Sequence, residues 1–342
     1  RNREKCFKVR DDIMRTTGNK EVHCRQCDLS DFDSVVSFVS QHSKGKFELD
    51  RIDGVVHNAA VMDSERKVNK DGIESTLATN HLGPFLLTEL LLEKLKAQSD
   101  PVRLVFVNTN IIKLSTNFNF ANFNEELQPK EPISDEEKAR PKEWDGYEVY
   151  KRSKLGEAMF AKDLAEKVKN SNISVTMADP VFAHTNLWPH ALPHFLFRWI
   201  MHSFLWSFSF IGGSTKRAAQ PVLYAVADPE MEGKNGVFIN RDGLAEQEWG
   251  ENVEDEEARR KLWAGSEELT RLPDRLSDLR RSIEILEIEA KKNVEVTKNL
   301  VSDKQVPSHE EIEKKKKKKS DEITKAVETK PVPKSTFIYD LP

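Results

Sequence analysis

Tyr150 and Lys154 stand four residues apart in the window Gly146-Tyr147-Glu148-Val149-Tyr150-Lys151-Arg152-Ser153-Lys154-Leu155. On a helix this spacing puts both side chains on one face. An ammonium held beside a phenol favours the phenolate and draws its pKa down from ~10 towards the range of a general acid–base. Tyr147 and Lys151 form a second, overlapping pair at the same spacing. Taken alone the spacing is a weak signal, because a solvated lysine beside a half-buried tyrosine produces it equally well. Three further polar sets accompany it. Cys27-Asp28-Leu29-Ser30 closes one apolar run, His57-Asn58-Ala59-Ala60 closes the next, and Thr79-Asn80-His81-Leu82-Gly83-Pro84-Phe85 lies inside a helical stretch.

Holding such groups together requires a frame, and the chain up to about residue 270 supplies one. Strand-like apolar runs occur at Val22–Cys27, Ile52–His57, Val102–Val107, Ile173–Met177 and Gly236–Ile239. Between them lie helical patterns over Phe32–Ser40, Gly72–Ala97, Tyr147–Lys169, Ser214–Ala227 and Val253–Thr270. Short strands that are apolar at consecutive positions and separated by helices read as a parallel sheet covered on both faces. The expected fold is therefore α/β, a doubly wound parallel sheet.

Composition changes after residue 270. Residues 271–342 carry 17 basic and 14 acidic side chains, whereas the whole chain of 342 residues has a formal net charge of −4. That overall balance argues against nucleic acid as a partner. Leu272, Leu276, Leu279, Ile283, Leu286 and Ala290 recur at alternating steps of four and three, which fits either a short coiled coil or one helix docked on the domain. Past residue 300 the chain is polar and contains Lys314–Lys319 without a break; it cannot bury enough apolar area to offset its ordering entropy. The expected organisation is a domain over 1–270, a charged helix over 271–300 and a disordered Lys-rich tail over 301–342.

The ordered set of motifs resembles the short-chain dehydrogenase/reductases, and within them a retinol-dehydrogenase-like branch, over residues 1 to about 270. Ser153-Lys154-Leu155 selects Tyr150 and Lys154 over the overlapping pair, and Asp179-Pro180 with Thr185 follows a strand as in that family. The resemblance implies a Rossmann-like fold and a division of labour in which the cofactor supplies hydride chemistry and the protein supplies position and a tuned acid. Tyr150 would exchange a proton with the substrate oxygen. Lys154 would lower the Tyr pKa and hold the nicotinamide ribose, and Asn80 would anchor the water linking Lys154 to solvent. Asp28 and Leu29 would border the adenine, Asn58 and Ala59 the adenosine ribose, and Pro180 and Thr185 the nicotinamide. Arg1, if it is the arginine that usually follows the second strand, would pair with a 2′-phosphate and imply NADP(H).

Four departures from the pattern stand out. The family's T-G-x-x-x-G-x-G turn, in which glycines let backbone N–H groups approach a pyrophosphate, has no counterpart: no two of the 14 glycines are separated by one residue. The N-terminal strand and glycine-rich loop, about forty residues of the usual domain, are expected to be missing. The family's Ser-Ser falls on Asn108-Thr109, so Thr109 would carry the catalytic hydroxyl under the restriction of β-branching, with Ser115 a less favourable substitute. Val181 and Ala60 stand where glycines are usual. Asn117–Asp145 forms a long acidic connection, a length usually functional or disordered.

The remaining signals are plainer. Three cysteines cannot build a disulfide scaffold and point to a reducing compartment, while Cys24 and Cys27 read as ordinary strand cysteines; no metal is expected. Residues 191–211 are aromatic but interrupted by Pro193, His194, Arg198 and His202, which favours a substrate lid with membrane-surface contact over a spanning helix. The combined expectation is an NADP(H)-dependent oxidoreductase interconverting alcohol and carbonyl on a lipophilic, retinoid- or steroid-like small molecule. It would be cytoplasmic and associated with the endoplasmic reticulum membrane, with its oligomeric state open. The rival expectation is a catalytically degenerate relative that acts as an interaction module through its charged tail.

Overall fold

The computed structural model describes residues 2–115, 118, 120, 123, 124, 144–180, 215–240 and 246–302, with side chains up to residue 294. Four strands, β1 (Gly54–His57), β2 (Val102–Val107), β3 (Ile173–Ala178) and β4 (Val237–Ile239), form one sheet in the order β1-β2-β3-β4. Every pairing is parallel, with Val55 opposite Leu104, Val105 opposite Thr176 and Met177 opposite Phe238. Successive strand side chains face opposite sides, and β2 shows why its run is apolar at every position but Arg103. Leu104 and Phe106 enter the main core, whereas Val105 joins a smaller cluster with Ala178 and Ala225 on the other face.

Helices cover both faces. α1 (Arg3–Thr17) and α2 (Phe32–Ser43) precede β1. α3 (Ser75–Leu77) runs through a π-helical turn (Ala78–Leu82) into α4 (Gly83–Lys96), and α5 (Gly146–Val168) links β2 to β3. α2, α4 and α5 contribute Val35, Val39, Leu86, Leu90, Leu155 and Leu164 to the main core. α6 (Thr215–Ala218) and α7 (Gln220–Ala227) follow β3, and Ala225 of α7 closes the smaller cluster. After β4 come α8 (Glu251–Glu254), α9 (Glu256–Thr270) and α10 (Leu272–Ser302).

The doubly wound parallel sheet is as the sequence leads one to expect, with two differences at its N-terminal side. Val22–Cys27 is not a strand, because strand character requires a hydrogen-bonded neighbour and β1 pairs only with β2 among the described residues. α1 has no counterpart in the apolar patterning, since it buries no residue. Instead its ends are capped, by the Asn2 side chain accepting from the Lys5 N–H at 2.9 Å and by Gly18 at φ 74°. A Cys6–Cys24 disulfide ties it to the following segment. That bond departs from the reducing compartment inferred from cysteine number. Cys27 remains a free thiol, pushed up to about 11 by burial and by the adjacent Asp28 carboxylate.

Contacts divide the chain into two units, Arg1–Ile283 and Glu284–Pro342, with the division inside α10. In the first unit the stripe proposed for the charged helix is docked: Leu272 and Leu279 are buried, and Leu276 and Ile283 pack against the main core. Arg275, also buried, makes an ion pair with Asp33 of α2. In the second unit Ile285, Ile288 and Val294 are exposed.

Two measurements follow from this packing. Denatured, unreduced protein is expected to show one thiol by dithionitrobenzoate titration, that of Cys27, and three after reduction. Leu279→Ala is expected to cost ~2–5 kcal/mol in urea unfolding, as a buried leucine should. Ile288→Ala, at a position 49% exposed, should change stability by less than ~0.5 kcal/mol.

Candidate active site

The candidate residues gather at the carboxyl ends of β1, β2 and β3. In open parallel sheets this is where ligands bind, because the chain leaves each strand there into a loop. His57 ends β1 and hands over to Asn58 and Ala59, which are exposed. Asn108 and Thr109 follow β2, and Asp179 and Pro180 follow β3. Thr185 and Val181, like Arg1 and the segment 191–211, lie outside the described residues.

The π-helical turn has a local cause. Pro84 has no N–H, so the ordinary helical bond onto the Asn80 carbonyl cannot form, and the Gly83 N–H closes a wider ring on the Ala78 carbonyl. Gly83 is also required sterically. A Cβ there would lie 2.4 Å from the Leu29 carbonyl oxygen and 2.7 Å from the Leu29 Cβ. Its absence lets the Asp28–Leu29 turn press against the start of α4. Within that turn Asp28 accepts from the Ser30 N–H at 3.0 Å and from the Ser30 hydroxyl at 2.7 Å.

Asn80, fully buried, acts as a staple. Its Oδ1 accepts from the Val61 N–H at 2.8 Å, and its Nδ2 donates to the Val61 carbonyl at 2.9 Å and to the Ser153 Oγ at 3.0 Å. Ser153 in turn donates to the Tyr150 carbonyl at 2.7 Å. The loop after β1 is thus bound to the turn of α5 that carries Tyr150. Both amide hydrogens of Asn80 are thus taken by protein, so a water at this residue could only donate to it.

Tyr150 is 8% exposed, and its hydroxyl makes no hydrogen bond among the described residues. Burial raises its pKa, and the carboxylates of Glu157 and Asp179 raise it further. This is opposite to the lowering expected from Lys154. Burial is the larger cause, and the company Lys154 keeps adds to it. Its side chain is 2% exposed, and its ammonium donates to the Val107 carbonyl at 2.9 Å and to Glu157 Oε2 at 2.7 Å. Glu157, wholly buried, is pushed up to about 7 by burial, against the downward pull of Lys154 and Asn108. Lys154 also holds His57 down at about 3, after burial itself, so that the imidazole stays neutral where it stacks on Phe106.

Asn108, buried, completes this interior cluster. Its Nδ2 donates to the Lys154 carbonyl and to Glu157 Oε2, both at 2.9 Å, while its Oδ1 accepts from the Thr109 N–H at 2.7 Å. Thr109 is half-buried and caps the 3₁₀ turn Asn110–Leu114, its hydroxyl accepting from the Ile111 N–H at 3.4 Å. Asp179 is buried and accepts from the Asn110 N–H at 3.0 Å. Glu157 escaped the sequence reading. Its signal is a carboxylate three residues after Lys154 that falls on the apolar stripe of α5, where an unpaired charge could not be buried.

Comparison with known proteins fixes the family. A family model described as short chain dehydrogenase matches residues 1–118. Retinol dehydrogenase 13 of Mus musculus is 32% identical over 274 residues, covering 80% of this chain and 75% of that protein. The chain belongs to the short-chain dehydrogenase/reductase family. Its place in the retinol-dehydrogenase-like branch is supported further by retinol dehydrogenase 14 of Homo sapiens, 30% identical over 73% of this chain and 67% of that protein. The crystal structure of an uncharacterized protein from Mycobacterium Paratuberculosis superposes with a TM-score of 0.53 at 25% identity, covering 78% of this chain and 81% of its own. Among the described residues of this short-chain dehydrogenase/reductase, no helix is long and apolar enough to cross a membrane and no acidic, His or Cys cluster could hold a metal ion.

Gly83→Ala tests whether the turn at Leu29 is held by close approach. The added methyl meets a carbonyl oxygen and must displace it, an overpacking cost of ~1–3 kcal/mol. Urea unfolding of the variant should show that loss.

Proposed function

We propose that this chain is an NADP(H)-dependent oxidoreductase that interconverts an alcohol and a carbonyl on a lipophilic, retinoid- or steroid-like substrate. The observation that carries the reading is the placing of Tyr150 and Lys154 on one buried helix face, stapled through Ser153 and Asn80 to the carboxyl end of β1. When bound, the nicotinamide supplies or accepts the hydride.

The residues fit that group at two places. Exposed Asn58 and Ala59, with the Asp28–Leu29 turn held on Gly83, offer an edge for the adenosine half. Lys154 spends two of its three donors on Val107 and Glu157, which leaves one for ribose hydroxyls. Pro180 and Thr185 would border the nicotinamide, and Arg1 would select a 2′-phosphate.

Tyr150 is the proton carrier. Burial and its acidic neighbours keep the phenol protonated, the form that hands a proton to a carbonyl oxygen as hydride reaches the carbon. Thr109 would orient that carbonyl through its hydroxyl. The name retinol dehydrogenase carried by the relatives supports the lipophilic substrate, and the aromatic, amphipathic residues 191–211 support a lid at a membrane surface, on the cytoplasmic side of the endoplasmic reticulum.

A second reading rests on a specific observation. Asn108, at the family's serine position, is turned wholly into the interior cluster, which favours a degenerate relative. Fluorescence titration with NADPH and NADH separates the two readings. The enzyme is expected to bind NADPH more tightly and to reduce retinal-like carbonyls. Tyr150→Phe should lower kcat at least ~10²-fold while leaving NADPH affinity within a factor of about two. Turnover retained in that variant overturns the assignment of Tyr150, and absence of both binding and turnover in the unaltered chain favours the interaction module.

A further inference from the structure

We propose that Glu157 is a positioning residue for this site: from the interior it takes up the charge of the Lys154 ammonium and so limits how strongly that ammonium acts on Tyr150. The inference deepens the reading of Tyr150 and Lys154 as an acid–base pair and rests on it.

The geometry is complete on the interior side. Glu157 is fully buried one turn along α5 from Lys154, and Oε2 accepts from both the Lys154 ammonium at 2.7 Å and the Asn108 Nδ2 at 2.9 Å. The Val107 carbonyl, at the end of β2, takes a second donor of the same ammonium at 2.9 Å. Oε1 of Glu157 has no hydrogen-bond partner among the described residues, so the carboxylate is oriented by Lys154 and Asn108 alone. A buried ammonium with a carboxylate at contact distance presents close to a neutral pair to a third group. Tyr150 is that third group: it stands one turn from Lys154 on the same face of α5, and the Glu157 carboxylate, after burial, holds its pKa up.

Other charges around the pair are few. Tyr147 lies on the same helix, Asp179 reaches Tyr150 from the end of β3, and His57 faces Lys154 from the end of β1. His57 is held neutral by burial and by Lys154, so it contributes no charge near pH 7. Asp179 is unchanged in every variant below. Removing the Glu157 charge therefore uncovers the ammonium against a constant background. With Glu157 in place the phenol holds its proton more tightly. Loss of Glu157 should favour the phenolate needed for alcohol oxidation.

The test reads tyrosine directly and needs neither cofactor nor turnover. The chain has four tyrosines, so ultraviolet difference titration of the unaltered chain against Tyr150→Phe isolates the Tyr150 ionisation. In the unaltered chain its midpoint is expected above the ordinary ~10; a midpoint at or below that value overturns the inference without any variant at Glu157. In Glu157→Gln, which keeps the shape and the acceptor for Lys154, the midpoint should fall by about one pH unit or more, a tenfold change in the ionisation constant. An unchanged midpoint overturns the inference. Glu157→Asp keeps the charge and should retain the high midpoint; a fall equal to that of the Gln variant would show that packing, not charge, is responsible and would also overturn it.

If Glu157→Gln does not fold, the unaltered chain and Glu157→Asp decide: a midpoint at or below ~10 in the first, or a fall of about one pH unit or more in the second, overturns the inference. Where turnover is measurable, the pH profile of alcohol oxidation should move down with the phenol in Glu157→Gln. Should the unaltered chain bind no NADPH and reduce no carbonyl, the functional reading fails, while the tyrosine titration still decides the role of Glu157.

Discussion

An ammonium cannot be taken out of water without a compensating charge and acceptors for its protons, and Lys154, at 2% exposure, is the place where this molecule meets that demand. The solution draws on three elements at once. Glu157 supplies the charge from the same helix, β2 supplies the Val107 carbonyl, and Asn108 at the strand end ties carboxylate and helix backbone together. Because the bonds to Val107 and from Asn108 cross between α5 and the end of β2, the demands of one buried nitrogen tie the helix to the sheet. Tyr150, one turn earlier on that helix, inherits its place from this arrangement.

Irregular backbone is concentrated where the site lies. The sheet is a regular parallel ladder, yet the segment that faces α5 contains a π-helical turn whose wider bonds answer the missing N–H of Pro84. Such turns often mark functional positions, and here the turn buries Asn80 where its amide can reach both Val61 and Ser153. Gly83, next in sequence, allows the Asp28–Leu29 turn to close on the same spot. Three adjacent peculiarities of sequence thus join the ends of two layers.

Much of this was legible from residue order. β1 to β4 read as strands because buried parallel strands are apolar on consecutive positions, and α5 read as a helix with its reactive pair on one face. Two kinds of feature were not legible. Val22–Cys27 has a strand's composition without a strand's neighbour, and composition carries no information about neighbours. α1 is held by end caps and a covalent bond to Cys24, neither of which leaves an apolar period to detect. At the site, types and spacing pointed to Tyr150, Lys154 and Asn80, which the fold brings to one region, but not to the direction in which burial and Glu157 move the phenol, because that depends on which charge lies inside the helix face.

β1 illustrates a wider consequence of the sheet order. It pairs on one side with β2, and on its other side the described residues offer no ladder partner, while Val56 is 40% exposed. A strand in that position is a template onto which another extended backbone can add. Its four residues, beginning at Gly54, give such an intruder little length to grip and a weak first rung. Among the described residues the sheet is thus open beside β1, and the four residues of that strand set how long a backbone could pair there.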